Sequence, residues 1–342
     1  NVEAVFSEIR YQYTVSGEGV GIDPSVFTGV AGRGAELAEV VFTETSGAEE
    51  RLTVDSDGAF SGPITEGTYT VTVTHPDYYD ISLGSLTVDG EETVAGDMTF
   101  RHYKLGAQLT KGDTACTDWT LDPATDTVTL ARSAADITYA ALGDAAGTHY
   151  VLNATLESQA QANDTKVGFI LSWADTSAVG NAVTMVISRS QNQINFYRGG
   201  TELQNLTRTY YNGAAQTGSN AHRITPPVGY LRTVSGTTSL QPVRVTVVRD
   251  NTVFHVWLNG VKMFEVTIPD LDGVAGRIGF RNQNVAAATF TDIGFTMSED
   301  AVTAALTATA TFTAEGTGAE VAYEGLVDGA AAVGKNAVRV TL

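Results

Sequence analysis

This 342-residue chain predicts an all-β fold, and three observations carry the prediction. Apolar residues recur at every second position: Tyr69, Val71 and Val73 alternate with threonines, and Val243, Val245 and Val247 alternate with Arg244, Thr246 and Val248. That is the period of a strand with one face buried. Threonine, valine and aromatic residues dominate these runs, which suits a pleated, half-buried surface. Turn signals such as Ser56-Asp57-Gly58, Thr65-Glu66-Gly67, Asp89-Gly90, Asn259-Gly260 and Asp272-Gly273 punctuate the chain. In places they recur every roughly 8 to 12 residues, the spacing of a sandwich. No segment sustains a capped helical repeat longer than about two turns.

With 43% hydrophobic residues the chain can fill packed cores, and its length suits two or three domains. The 39 acidic against 20 basic residues, a formal charge of −19, argue against nucleic acid or an anionic membrane as a partner. No run approaches the roughly 18 apolar residues of a membrane-spanning helix. The acid is concentrated early: residues 1–100 hold 18 Asp and Glu against Arg10, Arg33 and Arg51 and no lysine, a local balance of −15. A step of that size near residue 100 marks a domain boundary, because surface charge is set domain by domain. Cys116 is the only cysteine, which excludes an intrachain disulfide and a multi-Cys zinc site.

Residues 1–19 read as an N-terminal strand segment. From 20 to 101 the order is a strand, the turn Asp55-Ser56-Asp57-Gly58, the strand Glu66 to Val73, the pair Tyr78 and Tyr79, and a last strand near Met98 to Phe100. This succession resembles the carboxypeptidase-regulatory-like and transthyretin-like sandwich repeats of bacterial surface proteins. The related collagen-adhesin B-type repeats lock their sandwich with a Lys-to-Asn isopeptide bond, which is impossible here because the first lysine is Lys104.

Residues 102–298 form a larger β unit. Strands at Tyr150 to Ser158 and Val167 to Trp173 precede the hairpin Val253 to Lys262 around Asn259-Gly260, then Gly276 to Phe280 and Phe290 to Phe295. The last three motifs, in that order, resemble the C-terminal half of a concanavalin A-like (laminin-G-like) jelly roll, and the length suits that two-sheet fold. Residues 299–342 turn to alanine and threonine. There Tyr323 to Gly329 echoes Phe27 to Arg33, predicting a partial third β-sandwich, the start of a further repeat.

Catalytic chemistry finds little purchase. The glycosidases that share this jelly roll carry Glu-x-Asp-x-x-Glu, and no Glu-x-Asp occurs in this chain; Glu157, Glu202 and Glu265, the only glutamates between 102 and 298, are widely separated. The histidines His75, His102, His149, His222 and His255 show no metal-ligand spacing. No residue is assigned a catalytic role. Asp55 and Asp57 match the start of a calcium loop, with oxygens at alternate positions and a glycine for the turn, but the later ligands of an EF-hand are missing. An ordinary hairpin turn is the preferred reading of the same residues. The resemblance also implies a calcium rim to which Asp164, Asp175 or Asp292 would contribute.

Sugar recognition needs aromatic faces backed by amides and charged groups. Residues 196–230 collect these in an insertion too long for a simple hairpin, and long loops in compact domains are often functional. Tyr197, Arg198, Tyr210, Tyr211, Asn212, His222 and Tyr230 are therefore the candidate ligand contacts. Trp173 and Trp257 fall in strand interiors and are expected to fill the core. The chain thus reads as a non-enzymatic segment of an extracellular bacterial surface protein, its jelly roll binding glycan and its small sandwiches acting as spacers, with no cofactor. Two alternatives stand beside this: a structural stalk or filament subunit with head-to-tail contacts between like domains, and a glycosidase-like enzyme.

Overall fold

The computed structural model describes residues 10–23, 34–130, 137–160, 166–188, 193–204, 206–210, 215–216, 223–226, 230–231, 240–283, 285–307, 309–313 and 320–324. Those up to Tyr103 form one unit and those from Lys104 onward another. All-β architecture is confirmed, with strands in several sheets and one short α-helix among the described residues.

In the first unit the Gly67–Thr74 strand buries Tyr69, Val71 and Val73 and turns its threonines outward, as the alternation predicts. It lies in an antiparallel sheet of order Glu49–Thr53, Glu39–Glu44, Gly67–Thr74, Ile81–Val88. A second sheet sets Gln12–Gly17 between Phe60–Thr65 and Glu92–Thr93. Val15, Phe42, Phe60, Ile64 and Phe100 are among the residues buried in this unit. Each such side chain contributes about 1.5–3 kcal/mol by leaving water. The Tyr69 hydroxyl donates to Thr65 O at 2.7 Å and to Glu50 Oε1 at 3.1 Å. Burial first, then the Glu50 carboxylate, push it up to about 12.

The second unit is a sandwich of two antiparallel sheets. The front sheet runs Leu105–Thr110, Thr138–Gly147, Gly276–Gln283, Lys166–Trp173, Val183–Ser188, Gln193–Arg198, Thr201–Glu202, and Arg223–Ile224 also pairs with Gln193–Arg198. The back sheet runs Trp119–Asp122, Thr127–Leu130, Val285–Thr296, His149–Ala160, Leu240–Asp250, Val253–Leu258, Val261–Thr267, Thr207–Tyr210, Ala215–Gln216. Between them the Phe280 and Phe290 rings lie 4.0 Å apart, Phe169 and Phe290 5.5 Å, and Phe196 and Phe264 6.1 Å. The turn at Asn259-Gly260 takes φ of 51° and 79°, the left-handed pair that a tight two-residue hairpin requires.

Each sheet also carries a second layer on its outside. Glu299–Thr307, where the sequence predicts the start of a further sandwich, is a helix; the hairpin of Thr309–Thr313 with Glu320–Glu324 follows it. Ser298 Oγ accepts the Ala301 N–H at 3.3 Å, and Glu299 and Asp300 occupy the first turn, where the helix dipole favours negative charge. Val302 and Ala305 cover Val248 and Trp257 on the outer face of the back sheet. Val248 is consequently buried although it sits opposite the inward set Val243, Val245 and Val247, so this strand is buried on two faces rather than one. The echo of 27–33 in 323–329 falls mostly outside the described residues.

Candidate functional site

Register defines the outer face of the front sheet. Phe169, Met185, Phe196 and Phe280 are mutual partners and point inward, so the residues one step away along each strand point out. One outward row runs Tyr139, Arg281, Gly168, Val186, Asn195. The next runs Ala141, Gly279, Ile170, Thr184, Tyr197, Glu202. A third runs Gln283, Lys166, Ser188, Gln193.

This face divides in two. On one side Ile137, Tyr139, Ala141, Ile170 and Trp173 pack with Val179 and Ala182 in an apolar cluster. The covering turn is held by Trp173 Nε1 donating to Ala178 O at 3.0 Å and by the Val179 N–H donating to Asp113 Oδ1 at 2.7 Å. The other side is polar. The Arg281 guanidinium lies 4.6 Å and the Lys166 ammonium 5.6 Å from the centroid of the Tyr197 ring. Gly168 separates Arg281 from Val186 in the register and contributes no side chain, which leaves room for Arg281 and Tyr197 to meet. Arg281 Nη2 donates to Gln283 Oε1 at 3.3 Å. Tyr139 sits at the boundary: its hydroxyl donates to Gly199 O at 3.0 Å, burial pushes its pKa up, and the hydrogen-bonded Arg281 pulls it part of the way back.

Asn195 Nδ2 donates to Glu202 Oε1 at 2.7 Å, which fixes the orientation of the amide. Asn195 Oδ1, Thr184 Oγ1 and Gln193 Oε1 are buried and without a hydrogen-bond partner, with Asn195 3% and Thr184 0% exposed. An unsatisfied buried polar group costs about 1–3 kcal/mol, a cost that a water, an ion or a ligand polar group can relieve. Lys166, Gln193, Gln283 and Glu202 are partly exposed around them.

The outer face of the back sheet is occupied differently. Thr246 Oγ1 donates to Asn153 Oδ1 at 2.6 Å, Thr155 Oγ1 to Asp292 Oδ2 at 2.9 Å, and the helix closes the apolar strip. His255 lies here beside Glu265, Nδ1 to Oε2 3.3 Å. Burial above all, then Lys262, hold its pKa below the ordinary histidine value, against the opposite pull of Glu265 and Asp250. A base whose folded pKa is depressed contributes stability that is present above its unfolded pKa and is lost as pH falls through the folded one. We expect His255→Gln to reduce the loss of thermal stability between about pH 6.5 and 5 relative to the parent chain. Equal slopes in thermal melts across that window would show that His255 titrates alike in both states.

The residues predicted from sequence do not form one cluster. Tyr197 is 7% exposed and lies on the polar face; Arg198, its successor on the strand, faces the opposite way and pairs with Asp270. Tyr210 belongs to the back sheet, with the Arg208 guanidinium 4.7 Å from its ring centroid, and Tyr230 is partly buried elsewhere in the chain. Tyr211, Asn212 and His222 lie outside the described residues. The 196–230 segment is thus no single loop: its described parts include short strands in both sheets. Asp55 Oδ1 accepts the Asp57 and Ala59 N–H groups, each at 2.9 Å, in the manner of a turn. Asp175 accepts from Ser177 and Asn181, Asp292 from Thr155, and Asp164 lies outside the described residues. Among the described residues no group of three or more His, Cys, Asp or Glu gathers to hold a metal ion.

Arg281, Lys166, Thr184 and Asn195 were not singled out from sequence, and Glu202 was noted only as a carboxylate. Their signal is the polar residue at alternate strand positions, as in Gln193, Asn195 and Tyr197, which is also what a plain solvated face looks like.

No protein-family model matches the chain, and no curated protein matches its sequence. Among solved structures it is similar to the carbohydrate-binding module CBM66 from Bacillus subtilis, at 12% identity over 55% of this chain and 94% of that one, TM-score 0.36. A protein of unknown function with a galectin-like fold, also from Bacillus subtilis, gives 12% identity over 56% and 88%, TM-score 0.36. Aspergillus kawachii beta-fructofuranosidase gives 14% identity over 75% and 36%, TM-score 0.32.

Proposed function

We propose that this chain is a non-catalytic, glycan-binding segment of an extracellular protein, with the site on the polar half of the front sheet and the acidic small unit serving as a spacer. One observation carries the site: Thr184 Oγ1 and Asn195 Oδ1 are buried without partners on the same outward face, beside Tyr197. A hydroxyl, an amide carbonyl fixed by Glu202 and a phenol ring are suited to the alternating hydroxyl and C–H surfaces of a sugar. Placement outside the cell rests on the resemblance of both units to repeats of bacterial surface proteins. The glutamates between 102 and 298 lie apart in the fold, Glu202 at the edge of the front sheet and Glu157 and Glu265 on the back sheet, which supports binding over the paired-carboxylate chemistry of a glycosidase.

The test is a glycan array followed by calorimetry on the bound sugars, with Thr184→Val and Asn195→Leu as near-isosteric variants. Each is expected to weaken binding by about tenfold, the loss of one net hydrogen bond of roughly 1.4 kcal/mol. Melting temperature should be unchanged or slightly raised in Thr184→Val, which removes an unpaired buried atom, and lowered in Asn195→Leu, which also breaks the hydrogen bond to Glu202. Absence of binding to any glycan, or unaltered affinity in both variants, would refute the site.

A further inference from the structure

We infer that the interior of the large sandwich binds ordered water at one end, held by the amide of Asn282 and the hydroxyl of Thr138. The site lies on the inner face of the front sheet and is independent of glycan binding. Thr138 and Asn282 are partners on neighbouring strands, one step along from the outward pair Tyr139 and Arg281, so both point between the sheets. Each is 0% exposed, and Thr138 Oγ1 and both Nδ2 and Oδ1 of Asn282 find no hydrogen-bond partner in the protein. Beyond Asn282 the inner row continues as Val167, Ile187 and Ile194, all apolar.

Two contacts between the sheets fix what lies opposite. Phe169 meets Phe290 at 5.5 Å, and the Tyr150 hydroxyl donates to Leu171 O at 2.9 Å. Tyr150 and Leu171 thus mark one end of the interior. Thr138, Asn282 and Val167 lie toward the other, where the back sheet contributes the inward row Trp119, Leu130, Ala288 and Ser158. Trp119 is 2% exposed, its ring lies 6.2 Å from that of Phe280, and its Nε1 also finds no partner. The set therefore holds two donors, Asn282 Nδ2 and Trp119 Nε1, one acceptor, Asn282 Oδ1, and the Thr138 hydroxyl, which serves as either. Turning the amide over leaves the same donor and acceptor in place. Neither inner row carries a charged side chain, so the set matches a small neutral molecule that both donates and accepts, rather than an ion. Buried water typically makes about three hydrogen bonds to groups of this kind, whereas purely apolar walls stay dry.

The experiment locates water in a high-resolution crystal structure of the full chain and counts long-lived waters in solution by oxygen-17 relaxation dispersion. Water density is expected within hydrogen-bond distance of the Asn282 amide, and Asn282→Leu should lower the solution count by at least one. Thr138→Val keeps the shape of its side chain, so it tests the site even if the asparagine variant misfolds. Its equilibrium constant for folding, read by chemical denaturation, should fall by about three- to tenfold, because the water loses a partner. A hydroxyl with no water beside it gives the opposite sign, since a methyl group in its place removes a desolvated polar atom. A protein group bonded to the Asn282 amide in the crystal, a water count unchanged in a folded Asn282→Leu, or a folding constant that fails to fall in Thr138→Val overturns the inference. Each of these outcomes leaves glycan binding in place.

Discussion

Replacing Arg249 by methionine is expected to destabilise the large unit by about 4 kcal/mol, because one fully buried guanidinium serves four backbone acceptors at one end of the sandwich. Its Nε donates to Asn251 O at 2.8 Å, Nη1 to Gly147 O at 2.9 Å, and Nη2 to Leu271 O at 3.2 Å and Val274 O at 2.8 Å. These carbonyls belong to three separate connections: the one entering His149–Ala160, the turn after Leu240–Asp250, and the segment leading to Gly276–Gln283. Burial lowers the arginine pKa from its ordinary value, yet a guanidinium stays charged at any pH where the protein is folded. Methionine fills part of the volume beside Phe254, whose centroid lies 5.5 Å from the guanidinium, but leaves the carbonyls without their donors. Arg249→Lys should recover only part of the loss, since a compact ammonium cannot span acceptors laid out for a planar fork. Chemical denaturation provides the check. A loss under about 1 kcal/mol for the methionine variant would mean that water replaces the guanidinium at all four carbonyls.

Gly279→Ala is expected to cost about 3 kcal/mol or more and, on the function proposed above, to weaken glycan binding with it. A Cβ at this position would overlap the Ala140 carbonyl oxygen and stand 2.8 Å from Ala141 Cα, both main-chain atoms of the adjacent strand that no rotamer change can move. Gly168 poses the same problem from the other side of the sheet centre, with a Cβ overlapping the Met185 carbonyl oxygen and 2.9 Å from Val186 Cα. The two glycines stand on neighbouring strands, Gly168 opposite Arg281 and Gly279 opposite Ile170, so widening the sheet at either one displaces the polar face. Gly294→Ala is the control: no atom lies within 4 Å of its added Cβ, and its stability should change by no more than about 0.5 kcal/mol. If Gly279→Ala melted with the parent chain, the strands would have to separate at that point without loss.

Much of the fold was legible because strand alternation is a local property. Tyr69, Val71 and Val73 are buried in turn, the Asn259-Gly260 hairpin forms where its left-handed residues permit it, and Trp173 and Trp257 are buried as their strand positions predict. What local pattern could not convey is which layer buries them: Trp173 lies under the Val179 and Ala182 turn, and Trp257 under the helix, each on the outside of its sheet. The helix escaped a periodicity reading for the same reason. It is nine residues long, and its stability comes from packing two small side chains on a strip of sheet that the sequence brings together only across some 50 residues.

The sequence by itself determined the all-β class, the two-sided character of individual strands, the acidic bias of the early residues and the single cysteine, since each follows from composition or from neighbours along the chain. Tertiary structure alone decided which residues share the polar face. Lys166, Thr184, Asn195, Tyr197 and Arg281 span more than a hundred residues and meet only through the pairing of four antiparallel strands. The same pairing placed Tyr210 on the opposite sheet, away from Tyr197. Which residues share a face of a sheet is set by inter-strand register, and register is fixed by hydrogen bonds and core packing between segments distant in sequence, so no window along the chain contains it.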